Sequence, residues 1–206
     1  MPRRKMKKYD QAYFDHWYRS RKRVASPEWI RRKAALALAA AECFLERPVR
    51  RVLDVGCGEG QWRAVLRRQR PRLEWVGVDP SDYVVRRFGR RRNIKKGGFG
   101  DLPDLGLRGR FDLIVSASVI HYVSTPDLRR GMESIAGHLE GIAWLEVPTA
   151  EDAVHGDLDG YMRSEKLYRR IFNQAGLASL GMHCWCPQDW VDSQWVQRLE
   201  CSRGRS

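Results

Sequence analysis

The sequence contains no long hydrophobic run, and this absence excludes a helix that crosses a membrane. Apolar residues make up 43% of the 206 residues and charged residues 31%, which is the composition of a globular protein. No apolar stretch approaches the roughly 20 residues that a transmembrane helix needs. The basic residues at the start precede no apolar segment with a small-residue cleavage site, so we predict no secretory signal and a cytoplasmic location.

Cysteine is also scarce, and the cysteines show no regular spacing. Their odd number argues against a disulfide framework and predicts reduced thiols. His183, Cys184 and Cys186 could suggest zinc, but on a strand the two cysteines would face one side and the histidine the other. We therefore predict no metal site. The five cysteines are Cys43, Cys57, Cys184, Cys186 and Cys201.

Acidic residues are few in the first half of the chain. Residues 1–99 contain 27 basic and 10 acidic residues, whereas residues 100–206 contain 11 basic and 15 acidic ones. This asymmetry permits a contact with nucleic acid or with a membrane surface. The interpretation that we favour is simpler: the arginines form the solvated faces of amphipathic helices.

Strands and helices alternate along the chain, which predicts a single α/β domain. The predicted fold is Rossmann-like and doubly wound, with a mostly parallel seven-stranded sheet, an antiparallel final strand and an N-terminal helical arm. We divide the domain into an arm or cap (1–47), a core (48–147), and a part with an acidic loop, the last helix and antiparallel strands (148–206). Predicted strands occupy residues 52–55, 73–78, 93–96, 111–116, 142–147, 177–185 and 195–200, and predicted helices occupy residues 29–46, 61–69, 82–89, 126–139 and 165–174.

A glycine loop directly after the first predicted strand is the sharpest motif. Residues 52–60 read VLDVGCGEG. Glycines in such a loop allow a ligand to approach the backbone closely. A dinucleotide fingerprint would have glycine or alanine where this chain has Gln61, which weakens an NAD interpretation. Asp79 ends the second strand about 20 residues later, where such folds hydrogen-bond a ribose.

Four segments in register resemble the class I S-adenosylmethionine-dependent methyltransferase family, in the form of its small single-domain members. After the glycine loop, the segments GVDPS (77–81), GDL (100–102) and FDLIVSASVIHY (111–122) resemble the second to fourth family motifs. The resemblance covers residues 50–147 and extends to nearly residue 200. It implies that the core binds S-adenosylmethionine, with Asp101 facing the adenine amino group. The implied cofactor-binding residues are Asp54, Gly56, Cys57, Gly58, Asp79, Pro80, Gly100, Asp101, Leu102, Ala117 and Ser118.

The segment after the fourth strand, residues 116–122, should face the reaction, because ligands bind outside the carboxyl ends of such strands. It lacks the Asn/Asp-Pro-Pro-aromatic run of nucleobase amine methyltransferases, the cysteine of C5 methyltransferases and the carboxylate of magnesium-dependent ones. It resembles small-molecule members in which this strand ends in Ile-His-Tyr. His121 is the candidate catalytic residue: it could accept a proton from the acceptor, or it could be a packing or turn-capping residue.

The candidate substrate-binding residues come from three segments. The arm carries several aromatic residues at helical spacing, and arms of similar proteins close over the cofactor. The acidic loop at residues 151–160 could meet a cationic acceptor or remain solvated. The candidates are Tyr13, Tyr18, Tyr122 and Glu151.

The function that we predict is methyl transfer from S-adenosylmethionine to a small hydroxylated or aminated metabolite. One alternative is RNA methylation, motivated by the basic half of the chain. Another is a protein of this fold that binds a ligand or a partner without catalysis, which the intact motifs disfavour. The expected partner is a small-molecule acceptor, with weak and non-specific binding of nucleic acid and no membrane.

Overall fold

The structure is a computed structural model, and it describes residues 9–20, 26–152, 160–193 and 195–196. Two 3₁₀ turns, Phe99–Asp104 and Ile120–Tyr122, and a π-helical turn at Asp15–Arg19 accompany the regular elements. The helices are α1 (Gln11–Phe14), α2 (Pro27–Leu45), α3 (Gln61–Gln69), α4 (Asp82–Arg92), α5 (Thr125–His138), α6 (Glu165–Gln174) and α7 (Gln188–Asp192). The strands are β1 (Arg51–Val55), β2 (Glu74–Asp79), β3 (Ile94–Lys96), β4 (Phe111–Ala117), β5 (Leu139–Glu146), β6 (Leu177–Gly181) and β7 (Cys184–Pro187).

The seven strands form one sheet in the order β3-β2-β1-β4-β5-β7-β6. The first five strands pair in parallel, whereas β7 runs antiparallel to β5 and β6. This arrangement confirms the predicted Rossmann-like, mostly parallel sheet. The chain order reverses between β1 and β4, and in such sheets ligands bind in the crevice at this switch point.

Helices cover both faces of the sheet. Helices α2, α3 and α4 contribute to one buried apolar cluster, together with Phe14 of α1. Helices α5 and α6 and the Phe99–Asp104 turn contribute to the cluster on the opposite face. Both faces of the central strands are therefore buried, as expected for a parallel sheet.

Serine side chains fix the starts of four helices. Each serine hydroxyl accepts a hydrogen bond from a backbone N–H three residues later, which satisfies one free donor of the first turn. Two of these caps stand just after β2 and just after the Ile120–Tyr122 turn, so they fix the backbone on both sides of the switch point. The capping residues are Ser26, Ser81, Ser124 and Ser164.

The C-terminal strands differ from the prediction. The predicted strand at residues 177–185 is divided by a tight turn at Met182 and His183, whose φ angles are +48° and +66°. The seventh strand is therefore Cys184–Pro187, and α7 follows it directly. The predicted strand at residues 195–200 is wrong at Trp195 and Val196, which form a bend, and its remainder lies outside the described residues. Met-His lacks the Asn-Gly signature of a two-residue hairpin, so the sequence did not indicate the turn.

Candidate functional site

The glycine loop between β1 and α3 is held against the end of β2. The backbone N–H groups of Gly56 and Cys57 both donate to the Val78 carbonyl oxygen, at 2.8 and 3.1 Å. Gly58 has a φ of +50°, and a Cβ added there would lie 2.4 Å from the Tyr18 hydroxyl oxygen. Any larger residue at Gly58 would therefore be strained and would collide with the Tyr18 side chain.

Asp79 joins β2 to this loop. Its Oδ2 accepts a hydrogen bond from the Gly58 N–H at 2.8 Å, and its Oδ1 accepts one from the Ser81 N–H at 2.9 Å. The residue is only 6% exposed, and burial raises the pKa of its carboxyl group above the ordinary value despite these two bonds. The carboxylate is thus fixed at the carboxyl end of β2.

Asp54 supplies a second buried carboxylate on the neighbouring strand. Its Oδ2 has no hydrogen-bond partner among the described residues. Burial, and after it the charge of Asp79, raises the pKa of Asp54 to about 8, while the indole N–H of Trp75, a neighbouring side-chain donor outside hydrogen-bonding geometry, opposes this shift. Neither aspartate forms an ion pair in the part of the chain that the structure describes. Because buried polar atoms are almost always hydrogen-bonded, this oxygen fits a ligand with a cationic or N–H donor group.

The arm covers the glycine loop. Arg19 Nη2 donates hydrogen bonds to both carboxylate oxygens of Glu59 in the loop, at 2.7 and 2.8 Å. The Ser81 hydroxyl donates to the backbone oxygen of Tyr9 at 2.5 Å. Burial raises the pKa of the Tyr13 and Tyr18 hydroxyls, to which the nearby Asp79 also contributes. The structure thus brings Tyr18 to the glycine loop, and both predicted arm tyrosines lie close enough to Asp79 for its charge to raise the pKa of their hydroxyls.

The turn after β4 brings His121 to the same edge of the sheet. A Cβ at Gly56 would lie 2.4 Å from Val119, so this segment packs directly on the glycine loop. His121 is 5% exposed, and its backbone oxygen accepts a hydrogen bond from the Tyr161 N–H at 2.5 Å. The ring of Tyr122 lies 3.9 Å from the imidazole ring, between centroids. His121 is therefore enclosed at the switch point, which is compatible with either of its two predicted roles.

The predicted adenine-side residues lie on the Phe99–Asp104 turn. Leu102 is buried, and a Cβ at Gly100 would lie 2.7 Å from a carboxylate oxygen of Asp127. Asp101 is exposed, and its Oδ2 accepts a hydrogen bond from the Gly98 N–H at 2.8 Å. Its predicted contact with adenine remains a prediction. Pro80 is exposed beside Asp79.

The acidic loop is described only at its two ends. Glu151 Oε2 accepts a hydrogen bond from the Glu165 N–H at 3.0 Å, at the start of α6. Its predicted role in binding the substrate remains a prediction, and residues 153–159 lie outside the described part. No group of three potential metal ligands occurs among the residues that the structure describes.

The structure also shows a polar group at the carboxyl end of β5 that the sequence motifs did not indicate. Lys33 Nζ on α2 lies 2.5 Å from Glu146 Oε1, and both side chains are largely buried. The predicted residue Ser118 donates its backbone N–H to the Glu146 carbonyl oxygen at 2.8 Å, and Ala117 pairs with Glu146 in the sheet. The lysine and the glutamate are 113 residues apart in the chain, so no local pattern indicated the pair.

The comparison with known families agrees with this geometry. The chain matches the model of the methyltransferase domain family over residues 21–196, and it belongs to this family. It is a class I S-adenosylmethionine-dependent methyltransferase domain, which confirms the family that the four sequence segments resemble.

Several individual proteins are similar to this chain. A trans-aconitate 2-methyltransferase of Deinococcus radiodurans is 31% identical over 111 residues, which are 52% of this chain and 41% of that protein. The chain thus spans less than half the length of this curated relative. Among solved structures, an S-adenosylmethionine-dependent methyltransferase from Archaeoglobus fulgidus has a TM-score of 0.62 at 17% identity, covering 82% of this chain and 75% of that chain. The plantazolicin methyltransferase BpumL in complex with SAH has a TM-score of 0.61 at 14% identity, covering 72% and 63%. These structures show the shared fold.

None of the helices in the described part of the chain has the length and the apolar character of a membrane span.

Proposed function

We propose that this chain transfers a methyl group from S-adenosylmethionine to a small hydroxylated or aminated metabolite. The observation that carries the proposal is the pair of buried carboxylates at the glycine loop. Asp79 is held by two backbone N–H groups, while Asp54 keeps one oxygen without a partner in the described chain. S-Adenosylmethionine carries a ribose diol, a sulfonium and an ammonium group, and these are the groups that such carboxylates would bind.

The cofactor half of the site would use three features of the chain. Asp79 would accept hydrogen bonds from the ribose hydroxyls, since its carboxylate is fixed at the end of β2. The tight turn at Gly56 and Gly58, whose φ angles are +72° and +50°, would shape the loop around the cofactor, while the Val119 and Tyr18 side chains occupy the space where a Cβ of either glycine would lie. Asp54 would offer its free oxygen to a cationic group. When bound, the cofactor supplies an electrophilic methyl group on its sulfonium.

The acceptor half would lie beside β4 and β5. The adenine-side residues belong to the segment after β3, so the opposite side of the switch point remains for the acceptor. His121 would accept the proton that a hydroxyl or amine loses, or it would orient the acceptor. In-line alignment of donor and acceptor can supply much of the rate by itself. The arm, which closes over the loop through Arg19 and Tyr18, favours an acceptor small enough to be enclosed.

The experiment that tests the cofactor assignment replaces Asp79 by alanine and measures S-adenosylmethionine affinity by calorimetry. Loss of a charge-assisted pair of hydrogen bonds costs about 1.5–3 kcal/mol, so affinity should fall about tenfold or more. Asp82→Ala is the matched control, because Asp82 is an exposed aspartate three residues away that pairs with Lys96.

We expect Asp82→Ala to bind S-adenosylmethionine as the unmodified chain does. If a folded Asp79→Ala variant bound S-adenosylmethionine as tightly as the unmodified chain, the assignment of Asp79 would be wrong. If the unmodified chain did not bind S-adenosylmethionine measurably, the proposed cofactor would be wrong.

A further inference from the structure

Arg163 is a buried cation, and its partners in the described part of the chain are all neutral. The residue is 6% exposed and immediately precedes the N-cap of α6. Among the residues that the structure describes, no carboxylate forms an ion pair with its guanidinium. A buried charge without a counter-charge is costly unless its hydrogen bonds are fully satisfied. The cost of burying Arg163 therefore indicates that this residue has a specific role in the protein.

The hydrogen bonds of Arg163 account for all five of its guanidinium N–H donors. Nε donates to Thr125 Oγ1 at 3.1 Å, and Nη2 donates to the Val123 carbonyl at 2.6 Å and to Thr125 Oγ1 at 3.1 Å. Nη1 contacts the Tyr161 carbonyl and the Tyr168 hydroxyl, both at 3.4 Å. The rings of Tyr161 and Tyr168 lie 5.1 and 5.6 Å from the guanidinium carbon.

Three of these four partner residues belong to two segments that follow neighbouring strands, and the fourth, Tyr168, lies on α6. Val123 and Thr125 follow the Ile120–Tyr122 turn after β4, and Tyr161 belongs to the connection after β5. Arg163 itself lies on the connection after β5. Its guanidinium therefore ties this connection to the segment after β4.

His121 lies between the same two segments. The Tyr161 N–H donates to its backbone oxygen at 2.5 Å. A Cβ at Gly160 would lie 2.8 Å from the imidazole Cδ2, so the backbone at Gly160 packs directly against the ring. The imidazole is thus packed against the same connection that carries Arg163.

We propose that Arg163 is a positioning residue: its guanidinium fork holds the connection after β5 against the turn after β4 and so fixes His121 at the acceptor side of the site. The expected effect of Arg163 on turnover rests on the proposed function, whereas its expected effect on the structure does not. The planar fork is essential, because a lysine would keep the charge but could not reach all four partner groups.

The first test measures hydrogen exchange of backbone amides by NMR in the protein saturated with S-adenosylhomocysteine. In Arg163→Lys, the Tyr161 amide should exchange at least about tenfold faster, because its bond to His121 loses the supporting contact. Arg169→Lys is the matched control on α6, since Arg169 pairs with Glu165 at the surface. The control should leave the Tyr161 amide unchanged.

The second test separates positioning from cofactor binding. With any acceptor found in a panel of small metabolites, Arg163→Lys should lower kcat at least about tenfold while the affinity for S-adenosylhomocysteine stays within about twofold. Turnover by Arg163→Ala should be partly restored by millimolar guanidinium ion, which would not rescue a globally damaged fold.

Two results would overturn the inference. One is a folded Arg163→Lys protein whose Tyr161 amide exchanges at the unmodified rate. The other is faster exchange that extends equally to β1 and the glycine loop, since this would show a general role in stability. If the unmodified chain binds S-adenosylhomocysteine but methylates no acceptor, the proposed function fails, and the exchange comparison still decides the role of Arg163.

Discussion

Asp54 and Asp79 are buried carboxyl groups on neighbouring strands, and of the two only Asp79 accepts hydrogen bonds from backbone N–H groups of the described residues. Asp79 has two backbone donors, whereas Asp54 Oδ2 has none in the described chain. Burial raises the pKa of Asp54 to about 8, so this carboxyl group is largely protonated at pH 7. A bound cation would favour the ionised form, and proton release should therefore accompany cofactor binding.

The Asp54→Asn variant tests this coupling. At pH 7, binding of S-adenosylmethionine should release up to about one proton from the unmodified chain, because the cationic ligand lowers the pKa of Asp54. The release should disappear in Asp54→Asn and should decline in the unmodified chain above pH 8. Calorimetry in buffers of different ionisation enthalpy measures it. Equal proton release by the two proteins would show that another group titrates.

The elements show which parts of the fold a local pattern could predict. Helix α6 was predicted at its observed bounds, and α2 within two residues at its start, because the apolar pattern of a helix is a local signal. The hairpin between β6 and β7 was missed, since Met182 and His183 adopt positive φ without glycine or asparagine. The Arg163 and Lys33–Glu146 contacts were also missed, because their partners come from distant segments.

The hairpin leads to a prediction about stability. Met182 is 71% exposed and has a φ of +48°, a conformation that costs an ordinary residue roughly 1–2 kcal/mol. Asparagine tolerates this conformation, so Met182→Asn should raise the free energy of unfolding by about 0.5–1 kcal/mol. Met182→Ala is the control and should lack this gain, because alanine keeps the steric cost. Urea denaturation compares the free energy of unfolding of the three proteins. An equal increase in both variants would show that the positive φ of Met182 is not the cause.

At the scale of the whole molecule, α3 and α4 present an arginine-rich surface. Burial, and after it the charges of Arg67 and Arg92, lowers the pKa of Arg63, so these cations repel one another. Arg67 and Arg90 are exposed and form no ion pair among the described residues. Such a surface attracts polyanions without specifying a sequence.

We expect this surface to bind RNA weakly and in a salt-sensitive way. Affinity for a single-stranded RNA oligonucleotide should fall at least about tenfold between 50 and 200 mM salt. Replacing Arg67 and Arg90 by serine should weaken this binding and leave the affinity for S-adenosylmethionine unchanged. Fluorescence anisotropy measures both effects, and tight binding that persists at high salt would contradict a non-specific contact.

The most direct test of the account is transfer of a labelled methyl group from S-adenosylmethionine to a panel of small hydroxylated and aminated metabolites, run beside total cellular RNA. We predict that the unmodified chain labels a small acceptor and that Asp79→Ala loses the labelling while Asp82→Ala retains it. Label at one defined position in RNA, lost in the Asp79→Ala variant, would contradict the proposal and assign this methyltransferase domain to RNA.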